Sequence, residues 1–179
     1  MTHMHVAGSI HADATSAAPV WLVKPSDPNE LVEGLWSGTV VRDGEGELRI
    51  GGLGASEIVE QEGSPVYVVD EVDFKGRALT WREAFAGWHI YYASKSFLTG
   101  TVARWIDEQG LGLDVASMGE MTVALRAGFD PARMALHGNN KSEDELRLAL
   151  SRGIGRIVVD SSDEIARLER LTAELQVDI

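Results

Sequence analysis

Four polar residues stand at or just beyond the ends of short apolar runs, where a side chain can be held in place and still reach a substrate. Lys95 follows Ile90-Tyr-Tyr-Ala-Ser94, Asp114 lies within Leu113-Asp-Val-Ala-Ser117, His137 opens His137-Gly-Asn-Asn-Lys-Ser142, and Asp160 follows Ile157-Val-Val159. A lysine closing an apolar strand is unusual, because an ammonium is costly to bury unless it is paired or neutralised. Two readings follow. Its stem can run along the apolar surface while the head reaches water. Alternatively, desolvation makes the amine nucleophilic toward an aldehyde, the chemistry of a Schiff-base lysine. A carboxylate close by, Asp114, is either a counter-ion for the lysine or a group that sets the charge of whatever the lysine binds. His137 at a strand end suits a binding site and suits a satisfied structural residue equally.

The elements that must carry these residues form a repeat. Short apolar strands are expected over His89–Ala93, Leu111–Ala116, Arg133–Leu136 and Arg156–Val159, each followed by a segment with helical spacing of apolar residues. Their centres, Tyr92, Val115, Leu136 and Val158, lie 23, 21 and 22 residues apart. Strands alternating with helices of this length predict βαβ units and a parallel sheet. Capping boxes at Ser117-x-x-Glu120, Ser142-x-x-Glu145 and Ser161-x-x-Glu164 fall just after strands, where helices must start. Gly110, Gly128 and Gly153 fall where those helices should stop. In parallel-sheet proteins the chemistry sits at the C-terminal ends of the strands, where all four candidates lie. Glu120 and Asp160 read first as helix-capping groups.

From His89 to the end there are 91 residues, room for four units, whereas an eight-unit barrel usually runs to about 250 residues. The chain is therefore either a small open α/β sheet or the front half of a barrel, with Gln176–Ile179 as the start of a fifth strand. Pro65–Val69 reads as a further strand and Glu71–Phe85 as a helix. A half-barrel would also leave Tyr, Val and Leu side chains open on its inner face. Residues 1–64 carry three basic and ten acidic side chains and divide in two. Residues 1–19 read as a disordered leader, with His3, His5 and His11 too loosely held to pre-organise a metal. Residues 20–64 form an N-terminal arm, with a hairpin turn at Asp43-Gly-Glu-Gly46 and a short helix over Ala55–Gln61. Residues 65–179 are the partial barrel.

Composition sets the outer limits. With 16 basic and 28 acidic residues among 179, the net charge is −12, which disfavours nucleic acid and anionic membranes as partners. The absence of cysteine excludes disulfides and zinc–thiolate sites and fits a reducing cytoplasm. No apolar run approaches the roughly 18 residues of a membrane span.

Three segments, in this order and spacing, carry a resemblance: Tyr92-Ala-Ser-Lys95-Ser-Phe97, Asp114-Val-Ala-Ser-x-Gly-Glu120 and His137-Gly-Asn-Asn-Lys-Ser142. They resemble the N-terminal part of diaminopimelate decarboxylases, pyridoxal-phosphate enzymes built on an alanine-racemase-like (β/α)8 barrel. The Tyr-Ala-x-Lys strand is shared with ornithine and arginine decarboxylases, and the His-Gly-Asn-Asn-Lys-Ser segment points to the diaminopimelate branch. The resemblance runs from about residue 56 to the end. It implies that Lys95 binds pyridoxal 5'-phosphate covalently and takes part in catalysis, that Asp114 and His137 lie against the cofactor, and that Asn139 lies toward the substrate. It further implies decarboxylation of meso-2,6-diaminopimelate to L-lysine in a cytoplasmic homodimer, with the arm strands joining a separate β-domain. The ring-stacking histidine, glycine-rich phosphate loop and cysteine–tyrosine region of such enzymes have no counterpart in this sequence. The expectation is therefore the lysine-bearing front half of a barrel, inactive alone. Two other readings stay open: an ornithine- or arginine-type decarboxylase, and a non-catalytic half-barrel that binds the cofactor or assembles with another chain.

Overall fold

The computed structural model describes residues 27, 29–32 and 34–178. The expected leader over 1–19, with its three histidines, lies outside them. The unit that carries the candidate residues runs from Ser37 to Ile179.

It opens with a small antiparallel sheet of three strands, β1 (Val41–Arg42), β2 (Leu48–Ile50) and β3 (Leu53–Gly54), in sequential order. The expected turn is present and is organised by Asp43. Its carboxylate accepts the Glu45 and Glu47 N–H groups and the Arg49 guanidinium, each at 3.0 Å. Helices α1 (Ala55–Glu62) and α2 (Glu71–Ala84) follow. Asp70 caps α2 by accepting from Val72 and Asp73 N–H, as a short polar side chain at this position should. The same carboxylate accepts the Ser37 hydroxyl at 2.7 Å and the Thr39 hydroxyl. One helix cap thus also anchors the chain that leads into the hairpin.

The second sheet is parallel. Its strands β4 (Tyr91–Ala93), β5 (Gly112–Val115), β6 (Met134–Leu136) and β7 (Arg156–Ile157) alternate with α3 (Gly100–Glu108), α4 (Met118–Arg126), α5 (Glu143–Arg152) and α6 (Ser162–Leu175). The order is β4-β5-β6-β7, with no reversal. A doubly wound open sheet reverses its order at a switch point, whereas a barrel adds each strand beside the last. The arrangement is that of consecutive barrel strands. Pairing is regular: Tyr91 lies opposite Gly112, Leu113 opposite Met134 and Ala135 opposite Arg156, a step of 21 residues each time.

The core lies between sheet and helices. Leu113, Val115, Met134 and Leu136 are 0% exposed and pack with Val102, Ile106, Met121 and Leu146 of the helices. Because strand side chains alternate, the opposite face carries Tyr91, Ala93, Gly112, Asp114 and Arg156. The expectation that Val and Leu would be left open on the inner face is thus corrected: they face the helices, and the open face is small, aromatic and polar.

Two expected strands do not form. Pro65–Val69 starts on a bend, has no backbone hydrogen bond among the described residues, and leaves Tyr67 98% exposed. Its β-branched residues favour extension, but a strand needs a partner edge, which local preference cannot supply. At the other end, Gln176 turns into the left-handed region (φ 56°), and the Val177 N–H closes on Thr172 O at 3.2 Å. Val177 then packs against the core, so the described part of Gln176–Ile179 finishes α6 and starts no strand.

Candidate active site

The C-terminal ends of β4 to β7 bring the candidate residues to one end of the parallel sheet. Lys95 is the middle residue of a single 3₁₀ turn, Ser94–Ser96, that leaves β4. The turn is braced from behind. The Tyr92 hydroxyl donates to Phe97 O at 2.8 Å, Ser96 Oγ lies 2.8 Å from Ala93 O, and the Tyr92 ring meets Phe74 edge-on with centroids 5.5 Å apart. Tyr92 is therefore scaffold for the turn. Lys95 itself is exposed and makes no hydrogen bond or ion pair among the described residues. Of its two readings, the exposure is that of a head that reaches water. Its neighbour Ser94 is 2% exposed, with a hydroxyl that has no partner.

Asp114 lies opposite Ala93 on one side and Ala135 on the other. Register therefore sets its side chain beside that of His137, two residues beyond Ala135 on the same face. The two are joined by a hydrogen bond between His137 Nδ1 and Asp114 Oδ1. An ionised carboxylate only accepts, so Nδ1 carries the proton and Asp114 fixes the tautomer and direction of the ring. No hydrogen bond or ion pair joins Asp114 to Lys95; the partner of its carboxylate is the His137 ring. Asn139 is exposed, with no hydrogen bond among the described residues. Asp160 is also exposed, and the cap expected of it belongs to Ser161, which accepts from Glu164 N–H at 3.2 Å.

Sequence reasoning missed the most buried polar feature of this end. Lys141 and Glu164 are each about 2% exposed at the side chain and form an ion pair of 2.8 Å. Lys141 Nζ also donates to Gly138 O at 2.7 Å and Val158 O at 2.6 Å. Glu164 had read as half of a capping box, but its carboxylate turns to Lys141 instead. Of the three expected boxes, only Ser142/Glu145 closes in both directions. Its carboxylate reaches further, accepting Met118 N–H of α4 at 3.0 Å. Burial pushes the Glu145 carboxyl up, but the Ser142 backbone and hydroxyl, with Met118 N–H, outweigh it and hold it below the usual range. Glu120 accepts the Ala116 N–H at 2.6 Å, a structural bond at the start of α4. The missed signal lay in the repeat: Lys141 and Glu164 follow successive strands, but only the pairing register shows that they meet.

A family model described as "Pyridoxal-dependent decarboxylase, pyridoxal binding domain" matches residues 71–179, the stretch that holds α2, the parallel sheet and all of these side chains. The chain belongs to the pyridoxal-dependent decarboxylase family. Within the family it is 42% identical over 175 residues to the diaminopimelate decarboxylase of Mycobacterium leprae, covering 96% of this chain and 37% of that protein. It is 45% identical over 141 residues to that of Bacillus subtilis, covering 76% of this chain and 32% of the relative. Among solved structures, it superposes on a diaminopimelate decarboxylase from M. jannaschii in complex with L-lysine. That match has a TM-score of 0.69 and 26% identity, over 78% of this chain and 34% of the other. The chain thus spans about a third of the length of these decarboxylases.

Proposed function

We propose that this chain is the lysine-bearing, cofactor-binding part of a decarboxylase that converts meso-2,6-diaminopimelate to L-lysine, a step of lysine biosynthesis. The observation that carries the reading is the exposed amine of Lys95, without a partner among the described residues, held on a braced turn at the C-terminal end of the first parallel strand. The names of the relatives support the substrate. Residues and cofactor fit each other: pyridoxal phosphate offers an aldehyde to a primary amine, and Lys95 is a primary amine with no other commitment. When bound, the cofactor supplies an electron sink for the pair released as the carboxylate leaves.

The chain's own residues have narrower tasks. Lys95 binds and moves protons at Nζ. Asp114 holds His137 in one tautomer, so that the ring presents a fixed face to the mouth of the sheet, and Asn139 lies on the loop beyond it toward the substrate. A phosphate cradle is not evident among the described residues, so tight cofactor binding and turnover belong to a closed barrel and not to this chain alone. The working enzyme is a cytoplasmic homodimer in this reading. Among the described residues, no helix is long and apolar enough to cross a membrane. The exposure of Lys95 favours one companion reading, in which this half-barrel gains its site only on assembly with further strands.

The test is to incubate the protein with pyridoxal phosphate, reduce with borohydride and map the adduct by mass spectrometry. The expected product is pyridoxyl-Lys95, with Lys141 unmodified because its three protons are engaged in the interior. An adduct on Lys141 or elsewhere, with Lys95 untouched, overturns the assignment. CO2 release by the closed barrel from diaminopimelate, ornithine and arginine then separates the substrate readings.

A further inference from the structure

We propose that the buried Lys141–Glu164 pair is a positioning device that holds the His137 ring on Asp114 at the mouth of the parallel sheet. The inference rests on the proposed function only in taking that mouth as the reacting end.

Lys141 Nζ has three protons and spends all of them: on Gly138 O at 2.7 Å, Val158 O at 2.6 Å and Glu164 Oε1 at 2.8 Å. It is not a spare reactive amine. The first bond lands on the residue next to His137, the second on the residue that follows β7, and the third on the first turn of α6. One ammonium therefore ties the loop after β6 to the next strand and the next helix. That loop needs an external hold, because it turns at Gly138 with φ +136°, a conformation only glycine adopts easily. A glycine leaves the path of the chain undetermined, and here the carbonyl of that glycine is fixed by Lys141. Arg167 adds a bond to Lys141 O at 2.8 Å, which holds the lysine's own backbone in place.

His137 is thus gripped on both sides of its α-carbon. Its N–H donates to Val115 O at 2.9 Å, and the next carbonyl is held by the ammonium. With the backbone set in this way the ring reaches Asp114. The bond to the carboxylate places the proton on Nδ1 and leaves Nε2 as the basic nitrogen. Lys141 touches neither ring nor carboxylate, and its effect passes through the backbone of the loop.

The chain has five histidines, three of them in the first eleven residues, so the ring of His137 can be followed by nitrogen-edited NMR. The expected wild-type spectrum shows an exchange-protected Nδ1–H signal, assigned by its loss in Asp114→Ala. Replacing the whole pair, Lys141→Met with Glu164→Met, removes both charges together and keeps the volume apolar, a change that buried pairs often tolerate. The proposal expects the amide signals of Leu113, Val115 and Leu136 to persist in the double variant while the His137 Nδ1–H signal is lost. Persistence of that signal in a folded double variant overturns the proposal. So does a double variant that cannot fold, since the pair would then support the fold itself, and so does a wild type without the signal. No cofactor enters the experiment, so its failure leaves the Lys95 adduct untouched, and an absent adduct leaves the ring signal untouched.

Discussion

A lysine and a glutamate can leave water together only when each finds in the protein the bonds it gave up outside. Lys141 meets that condition with one carboxylate and two carbonyls, whereas Lys95, 46 residues earlier in the chain and at the same end of the sheet, finds no such partner among the described residues and is exposed. The two lysines therefore divide the labour: one is bound and inert, the other free and available. Removing a single partner from the interior leaves an uncompensated charge. Lys141→Met alone, or Glu164→Gln alone, should lower stability by about 3–5 kcal/mol, measured by urea denaturation. Lys95→Met should change it by less than about 0.5 kcal/mol, as expected of an exposed side chain without partners. Comparable losses for Lys95 and Lys141 would contradict this division.

Asp70 shows what one residue does for an element. Besides capping α2, it receives the hydroxyls of Ser37 and Thr39, so the arm and α2 share a carboxylate. Asp70→Ala should cost about 1–2 kcal/mol, at or above the usual value of a helix cap, and should speed amide exchange across residues 41–54. An unchanged exchange rate in the hairpin would show that the cap serves the helix alone. This element also marks how far local sequence can be read. Helix starts at Ser117, Ser142 and Ser161 and the turn at Asp43 were legible because their bonds close within a few residues. The outcome at Pro65–Val69, unpaired among the described residues, was not, since nothing within five residues says whether a partner edge exists. The Asp114–His137 bond and the Lys141–Glu164 pair were equally hidden. Each joins residues 23 apart, and only the step of 21 between paired strands shows which side chains come level. Lys95 was legible as a residue of interest because it closes an apolar run; which of its two settings it takes depends on the turn Ser94–Ser96 that follows β4, which the run alone does not show.

For the molecule as a whole, acid is the expected weakness. Burial pushes the Asp70 carboxyl up, but the Thr39 and Ser37 hydroxyls with the Asp73 and Val72 N–H groups more than offset it and hold the carboxyl low. Asp73 is lowered by Arg77 and by Gly38 N–H, and Glu145 by the bonds already described. Glu143 and Glu174 are lowered by Arg170 and Arg147, which bridge α5 and α6. The folded form thus holds fewer protons than the unfolded chain near the carboxylate range. Stability should be fully present above that range and drain away as pH falls through the lowered values, which melting temperatures between pH 7 and pH 3 would record. A flat profile would mean that these bonds form equally in the unfolded chain. The sheet also ends openly, at β4 on one side and β7 on the other, with Val158 53% and Val159 44% exposed beyond the latter. Unpaired strand edges invite pairing with other chains. Alone in solution the chain should show a mass that rises with concentration and no CO2 release from diaminopimelate. A concentration-independent monomer that turns over would contradict both the open edges and the need for a closed barrel.

The uniform step of 21 residues between paired strands has a consequence for how the protein is made. Each strand docks on the one synthesised just before it, and no ladder of the parallel sheet waits for a distant segment. Loop closure is therefore short and alike at every addition, which favours rapid folding. As the chain leaves the ribosome, the sheet can lengthen by one strand per unit, with each helix covering the strand it follows. Lys95, on the turn that leaves the first of these strands, is in position early in that order. The histidine loop settles only three units later, when Glu164 emerges to meet Lys141.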